Sequence, residues 1–340
     1  MIQHSANTIS SKDISAVKTL LASGMLASGK NCEEFKEKLG NYFACENVYL
    51  TNTGSSAIYF ALKALNTKKT EIVFPTYVCK DVIEVVFMAG FKPVLCDIGE
   101  QWNVSCASIK NKITKSTAAI IVPHNLGICV NVKELKAFNV PIIEDCCQSI
   151  GAYYNNALSG TMGDITVLSF NATKCLTTGE GGAVLINTKK KIKNNKSLQS
   201  LGHILRMSDL QAVLGIQQLS EYDSFLKKRK ELAQFYFKNI NKKLTEKFND
   251  TRQHSMFFRF LLYSNTNFLE VQTYLNQKNI AVRKGIDALL HRQYKIGKDT
   301  DFKNAVNHFN KTISIPIYPS LKIEQAKYIS TTVNNYFNEA

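Results

Sequence analysis

Between residues 48 and 186 this chain alternates short, continuously apolar runs with segments of helical period, and that alternation restricts its fold more than any other feature. The apolar runs fall at 48–51, 71–74, 93–97, 118–122, 141–145, 165–170 and 183–186, with helices predicted between them at 55–65, 78–89, 105–112 and 132–138. A strand apolar at every position has both faces buried, and helical crossovers return successive strands parallel to one another. The expected class is therefore α/β: a mostly parallel sheet flanked by helices. Two helices precede it, one capped at Ser11-Lys12-Asp13 and one at 32–43. Beyond residue 186 the texture changes to helices at 207–219 and 221–247, strands at 256–263 and 312–317, a helix at 268–279 and a closing helix from residue 323. This reads as a large domain over 1–230 and a smaller C-terminal α+β domain over 231–340, divided inside the long charged helix.

Composition removes several function classes. The sequence is 45% apolar and 20% charged, as in globular proteins. No apolar run approaches the ~20 residues of a spanning helix, so no membrane partner is expected. The opening Met1-Ile2-Gln3-His4 lacks the basic start and apolar core of a signal peptide, and cytoplasm is the expected location. Nine cysteines form no metal-ligand spacing and read as free thiols; no metal is expected. The net charge of +15 comes mostly from lysines in short runs such as Lys189-Lys190-Lys191 and Lys227-Lys228-Arg229-Lys230. Such runs are solvated faces rather than a nucleic-acid footprint, and their field favours an anionic substrate.

Three motifs lie where the alternating pattern places the ends of strands, the edge at which open α/β sheets bind ligands. Lys174 stands between the strand at 165–170 and the turn Gly179-Glu180-Gly181-Gly182. A lysine aimed from a fixed backbone is a candidate Schiff-base amine. Asp145 ends an apolar strand and is followed by Gln148, a carboxylate and an amide suited to a pyridinium nitrogen and its neighbouring oxygen. Asn52-Thr53-Gly54-Ser55-Ser56-Ala57 joins a strand to a helix, where free amides and hydroxyls make a phosphate site. Thr-Gly-Ser-Ser is equally an ordinary helix cap, and a carboxylate at a strand end equally caps a turn.

Together these pieces resemble the fold-type-I, pyridoxal-phosphate-dependent nucleotide-sugar aminotransferases of the DegT/StrS type. The resemblance runs from Gly24-Met25-Leu26-Ala27-Ser28-Gly29 through Phe74-Pro75-Thr76-Tyr77, His124-Asn125-Leu126-Gly127 and Glu144-Asp145-Cys146-Cys147-Gln148. It continues through Thr173-Lys174 to Gly182, Arg206-Met207-Ser208-Asp209 and Ile313 to Ser320. It implies pyridoxal 5'-phosphate as cofactor, with Lys174 as the Schiff-base and proton-shuttling residue and Asp145 on the pyridine nitrogen. Gln148 would contact the ring substituent, while Gly54, Ser55 and Ser169 would hold the phosphate. It also implies L-glutamate as amino donor, a nucleotide-linked keto sugar as acceptor, ping-pong kinetics and a homodimer with shared active sites. Products of this kind serve surface polysaccharides or secondary metabolites. His124, Arg206, His291 and Tyr318 are candidate substrate residues.

The chain departs from the family pattern at three places. Cys79 stands where the family usually has an aromatic that stacks on the cofactor ring, a role Tyr77 is expected to assume. Gly202-His203-Ile204-Leu205-Arg206-Met207 has Ile204 in place of an asparagine that reaches the partner subunit's cofactor phosphate. The segment between Asn187 and Gly202 is shorter than is usual, pointing to an unusual or smaller substrate. Two alternatives stay open: a non-catalytic regulatory or partner protein of the same fold, and the family's sugar dehydratase branch, whose members carry histidine where Lys174 stands.

Overall fold

The computed structural model describes residues 1–187 and 196–339. The run Lys189-Lys190-Lys191 and part of the shortened segment lie outside the described residues. The strands are β1 (Val48–Thr51), β2 (Glu71–Pro75), β3 (Lys92–Cys96), β4 (Thr117–Pro123), β5 (Ile142–Asp145), β6 (Tyr153–Tyr154), β7 (Ala157–Leu158), β8 (Ile165–Ser169), β9 (Gly182–Ile186), β10 (Phe260–Tyr263), β11 (Arg283–Lys284) and β12 (Thr312–Ile315). A seven-stranded sheet has the order β1-β9-β8-β5-β4-β2-β3. Its pairs are parallel from β3 across to β8, while β9 runs antiparallel to both β8 and β1. The expected mostly parallel sheet is thus present, with one reversed strand.

The alternation of side chains sorts the apolar strands into two cores. Ile121, Ile143, Val167 and Val184 face one layer, whereas Ile120, Val122, Ile142 and Leu168 face the other. Helices α1 (Ser11–Ser23), α2 (Lys30–Phe43), α3 (Gly54–Ala64) and α4 (Lys80–Met88) contribute to the covering layers. Leu62 and Val82 join the first core; Phe35 and Leu39 join the second. Capping follows the sequence: Ser10 and Asp13 form a reciprocal capping box at α1, which ends on left-handed Gly24.

The C-terminal region differs from the sequence expectation in detail. The predicted helix at 221–247 is two helices, Tyr222–Asn239 and Lys242–Asn249, interrupted where Ile240 turns extended and the Asn241 side chain caps the second. The predicted strand at 256–263 is regular only at β10, which pairs antiparallel with β12 beside β11. The helix predicted at 132–138 is a single turn continued as a 3-10 segment.

The basic run at 227–230 is a correction. Arg229 is not on a solvated face; it is 3% exposed. Its Nη1 donates to the carbonyls of Phe257 (2.9 Å), Phe258 (3.2 Å) and Ile317 (3.1 Å), and its Nε donates to Cys175 Sγ at 3.2 Å. One side chain therefore joins the Tyr222–Asn239 helix, the approach to β10, the segment after β12 and the residue next to Lys174. Replacing it by methionine keeps the stem and strands these acceptors. Arg229→Met is expected to lower unfolding free energy by about 3 kcal/mol, read as a shifted urea midpoint at unchanged slope.

Candidate active site

Five strand ends and the start of β9 converge on a single cavity of about 550 Å³. Thr53 to Ser55 arrive after β1, Val78 and Cys79 after β2, and Pro123 to Asn125 at and after β4. Asp145, Cys147 and Gln148 arrive at the end of β5, Ser169 and Lys174 at and after β8, and Glu180 just before β9. Candidate residues distant in sequence are brought together by topology alone.

The cradle at the start of α3 is built for close approach. Thr53 is the N-cap and its hydroxyl accepts from the Ser56 N–H, while Ala57 N–H donates to the Thr53 carbonyl. The amides of Gly54 and Ser55 precede these bonds and are the orphan donors of the first helical turn. A Cβ on Gly54 would lie 2.7 Å from both Cβ and Oγ of Ser169, so only glycine lets the β8 end reach the helix start. Asn171 N–H donates to Ser169 Oγ at 3.4 Å, leaving the Ser169 proton available for an anion in the cradle. This donor set fits a phosphate group.

Asp145 and Gln148 are each oriented by a backbone amide. Cys147 N–H donates to Asp145 Oδ1 at 3.0 Å. Leu126 N–H donates to Gln148 Oε1 at 2.9 Å, which turns the Gln148 amide nitrogen outward as a donor. That turn is unusual: Leu126 and Gly127 both have positive φ, 63° and 85°. A Cβ on Gly127 would meet Phe258 N at 2.7 Å, so the tight path beside the β10 approach requires a glycine. Phe258 in turn faces the lysine, with Lys174 Nζ 5.6 Å from its ring centroid.

Beneath the cavity floor His124, a candidate substrate residue, is paired with Glu144, a residue the sequence did not single out. Glu144 is fully buried and accepts from Gly160 N (2.8 Å), Met162 N (2.7 Å), Gly163 N and His124 Nε2 (2.8 Å). Burial pushes its carboxyl up, but the His124 bond and the backbone amides overcome this and hold it below its ordinary value. Val130 N–H donates to His124 Nδ1 at 3.0 Å, which leaves the Nε2 proton to face Glu144. With both nitrogens engaged, His124 lines the cavity yet has no free atom for a substrate.

Four other sequence candidates lie outside the cavity lining. Tyr77 is fully buried in the core facing Gly285, and so does not present its ring to the site; Val78 and Cys79 do. His291 accepts the Thr76 hydroxyl proton at Nδ1 (2.8 Å), and its Nε2 meets Asp299 at 3.0 Å, which makes it a brace between loops. Arg206 is at the surface against His203, and Tyr318 is buried beyond the lining, its hydroxyl pKa raised by burial. Ile204 is 72% exposed, close to the cradle because Asn52 N–H donates to the neighbouring Leu205 carbonyl at 2.7 Å.

A lysine, a carboxylate, an oriented amide and a phosphate cradle at the carboxyl edge of such a sheet are the protein side of a pyridoxal-phosphate site. The architecture matches that of Helicobacter pylori PseC, an aminotransferase of pseudoaminic acid biosynthesis, at a TM-score of 0.89 and 20% identity over 100% of both chains. It also matches the PMP form of a putative sugar aminotransferase from Streptococcus pneumoniae at a TM-score of 0.88 and 21% identity, again over 100% of both chains. Residues 7–334 match the DegT/DnrJ/EryC1/StrS aminotransferase family, and the chain belongs to it. In sequence it is 27% identical to the Campylobacter jejuni UDP-4-amino-4,6-dideoxy-N-acetyl-beta-L-altrosamine transaminase, covering 98% of this chain and 96% of that protein.

The buried carboxylate gives a direct test. In Glu144→Gln an amide replaces one oxygen and turns its own N–H groups toward donors. The variant is expected to lose about 3 kcal/mol of stability, measured by chemical unfolding, because buried donors lose their acceptor.

Proposed function

We propose that this chain is a pyridoxal-phosphate-dependent aminotransferase that moves an amino group from L-glutamate to the keto carbon of a nucleotide-linked sugar. The observation that carries the reading is the convergence of Lys174, Asp145, Gln148 and the Gly54–Ser169 cradle on one cavity, in a chain of this family. The transaminase name of the Campylobacter relative supports the sugar substrate. When bound, the cofactor supplies a carbonyl carbon that accepts an amino group and a protonated ring that withdraws electrons from the reacting carbon.

Each residue has a definite task. The Gly54 and Ser55 amides and the Ser169 hydroxyl would hold the phosphate. Asp145, with Oδ1 fixed by the Cys147 amide, would keep the ring nitrogen protonated. Gln148 would donate through its nitrogen to the ring oxygen. Lys174 Nζ would anchor the cofactor, then take the proton from the carbon bearing the donor's amine and deliver it across the nitrogen, to the carbon on its far side. Run backwards with a keto sugar, the same steps aminate the acceptor, so one site serves two half-reactions. A lysine at this position opposes dehydration, and an intact constellation of chemical groups opposes a non-catalytic role.

The shared-site homodimer belongs to this reading. Met25 and Ile204 are each 72% exposed and Leu26 and Leu210 are also open, an apolar surface close to the cradle that a second copy would cover. Ile204 would face the partner without a hydrogen bond to offer, leaving the phosphate to the donors of the one chain. No helix among the described residues is long and apolar enough to cross a membrane, which is compatible with work on a cytoplasmic sugar nucleotide. A role in surface polysaccharide or secondary-metabolite sugar synthesis follows from the same assignment.

Two measurements test the assignment. Purified protein is expected to show a visible absorbance band that L-glutamate removes and borohydride bleaches, with the reduced adduct found on Lys174 by mass spectrometry. Lys174→Ala is expected to lack both the band and the adduct; a band unaffected by that substitution refutes the assignment. The second concerns the open position at Cys79. Cys79→Phe is expected to tighten cofactor binding roughly 2- to 10-fold, the worth of one aromatic stacking contact, measured by fluorescence titration of cofactor-free protein.

A further inference from the structure

A second cavity, of about 680 Å³, lies away from the catalytic one. The two are separated by a layer containing Cys175, Tyr222, Met256 and Phe258, whose internal space of about 10 Å³ holds no more than a water. One wall is a face of the Tyr222–Asn239 helix, where Leu226, Lys230, Gln234 and Lys238 recur at helical spacing. Arg252 enters from the short turn Arg252–His254 on the other side. Among the described residues, Lys230, Lys238 and Arg252 have no ion-pair partner, and the lining contains no carboxylate. Neighbouring Lys228, by contrast, is paired with Glu231 at 3.1 Å.

Three like charges facing one concavity repel one another, and a concave wall concentrates their field. A multiply charged anion relieves that repulsion. Three aromatic residues share the lining with small, apolar and amide side chains: Phe257 is buried, Phe237 packs 6.2 Å from it, and Tyr153 presents a half-exposed ring on the β6–β7 hairpin. Rings beside phosphate-binding cations suit a flat base joined to phosphates.

We propose that this cavity binds a nucleoside diphosphate, its phosphates held by Lys230, Lys238 and Arg252 and its base against Tyr153. The site is distinct from the catalytic cavity and does not rest on the aminotransferase reading. Tyr153→Trp provides a local reporter, since the one native tryptophan, Trp102, is fully buried. UDP is expected to quench the new fluorescence saturably and pyrophosphate to compete more weakly. Adding the exposed substitutions Lys230→Glu and Arg252→Glu is expected to weaken UDP at least about tenfold at unchanged thermal midpoint, with a steep loss on adding salt. Absence of saturable quenching at millimolar UDP, or quenching unchanged by the two glutamates, overturns the proposal. Uridine binding as tightly as UDP overturns the phosphate role, and pyrophosphate binding as tightly as UDP overturns the aromatic one.

Discussion

The carboxyl edge of the sheet depends on a carboxylate that takes no part in the chemistry. Glu144 collects four donors from two places: His124 just after β4, and the amides of Gly160, Met162 and Gly163 in the turn that leads into β8. A buried charge is tolerable only when its lone pairs are filled, and here the filling is what fixes two strand ends and a turn relative to one another. Asp145 is the next residue, and the alternation of a strand sends its side chain to the opposite side, into the cavity. Two adjacent acids thus face opposite ways, one holding the fold together and the other lining the cavity.

Much of this was legible in the sequence because it depends on local chemistry. Apolar runs gave the strands, and punctuation at Gly54, Asp145 and Gly179 to Gly182 gave their catalytic ends. What escaped was set by distant partners. Glu144 looked like the tail of an apolar strand; only the turn at 160–163, brought close by the β5–β8 pairing, reveals its donors. Arg229 sat in a run of lysines, and nothing local distinguishes it from them. Its acceptors come from residues 175, 257, 258 and 317. Tyr77 was expected to take the stacking place left by Cys79 because position in an irregular segment says nothing about which way a side chain turns. His124, at the end of an apolar strand, was expected to meet substrate; it lines the cavity, but the occupation of both its nitrogens depends on Val130 and Glu144.

On the proposed reading, the departures at Cys79 and Ile204 fall where the cofactor would be held rather than where protons would move. Cys79 offers a small polarizable sulfur in place of a ring, and Ile204 offers a methyl-bearing surface in place of a donor. Lys174, Asp145 and Gln148 are unaffected by either. On that reading, retention of the cofactor and its chemistry would be separable properties, the first resting more heavily on the Gly54–Ser169 cradle.

The reversal of β9 has a consequence for the lysine itself. Ser169 pairs with Gly182 in register, Phe170 N–H donates to the Gly181 carbonyl, and Thr178 N–H returns to the Phe170 carbonyl. Both roots of the loop that carries Lys174 are therefore stitched into one sheet, and the Lys174 amide is tied to the Asn171 carbonyl. The loop is therefore anchored at both ends and once within. On the proposed reading the amine would act from that tether, within the reach of its four methylenes. Any larger displacement during turnover would then be made by the ligand tilting past it.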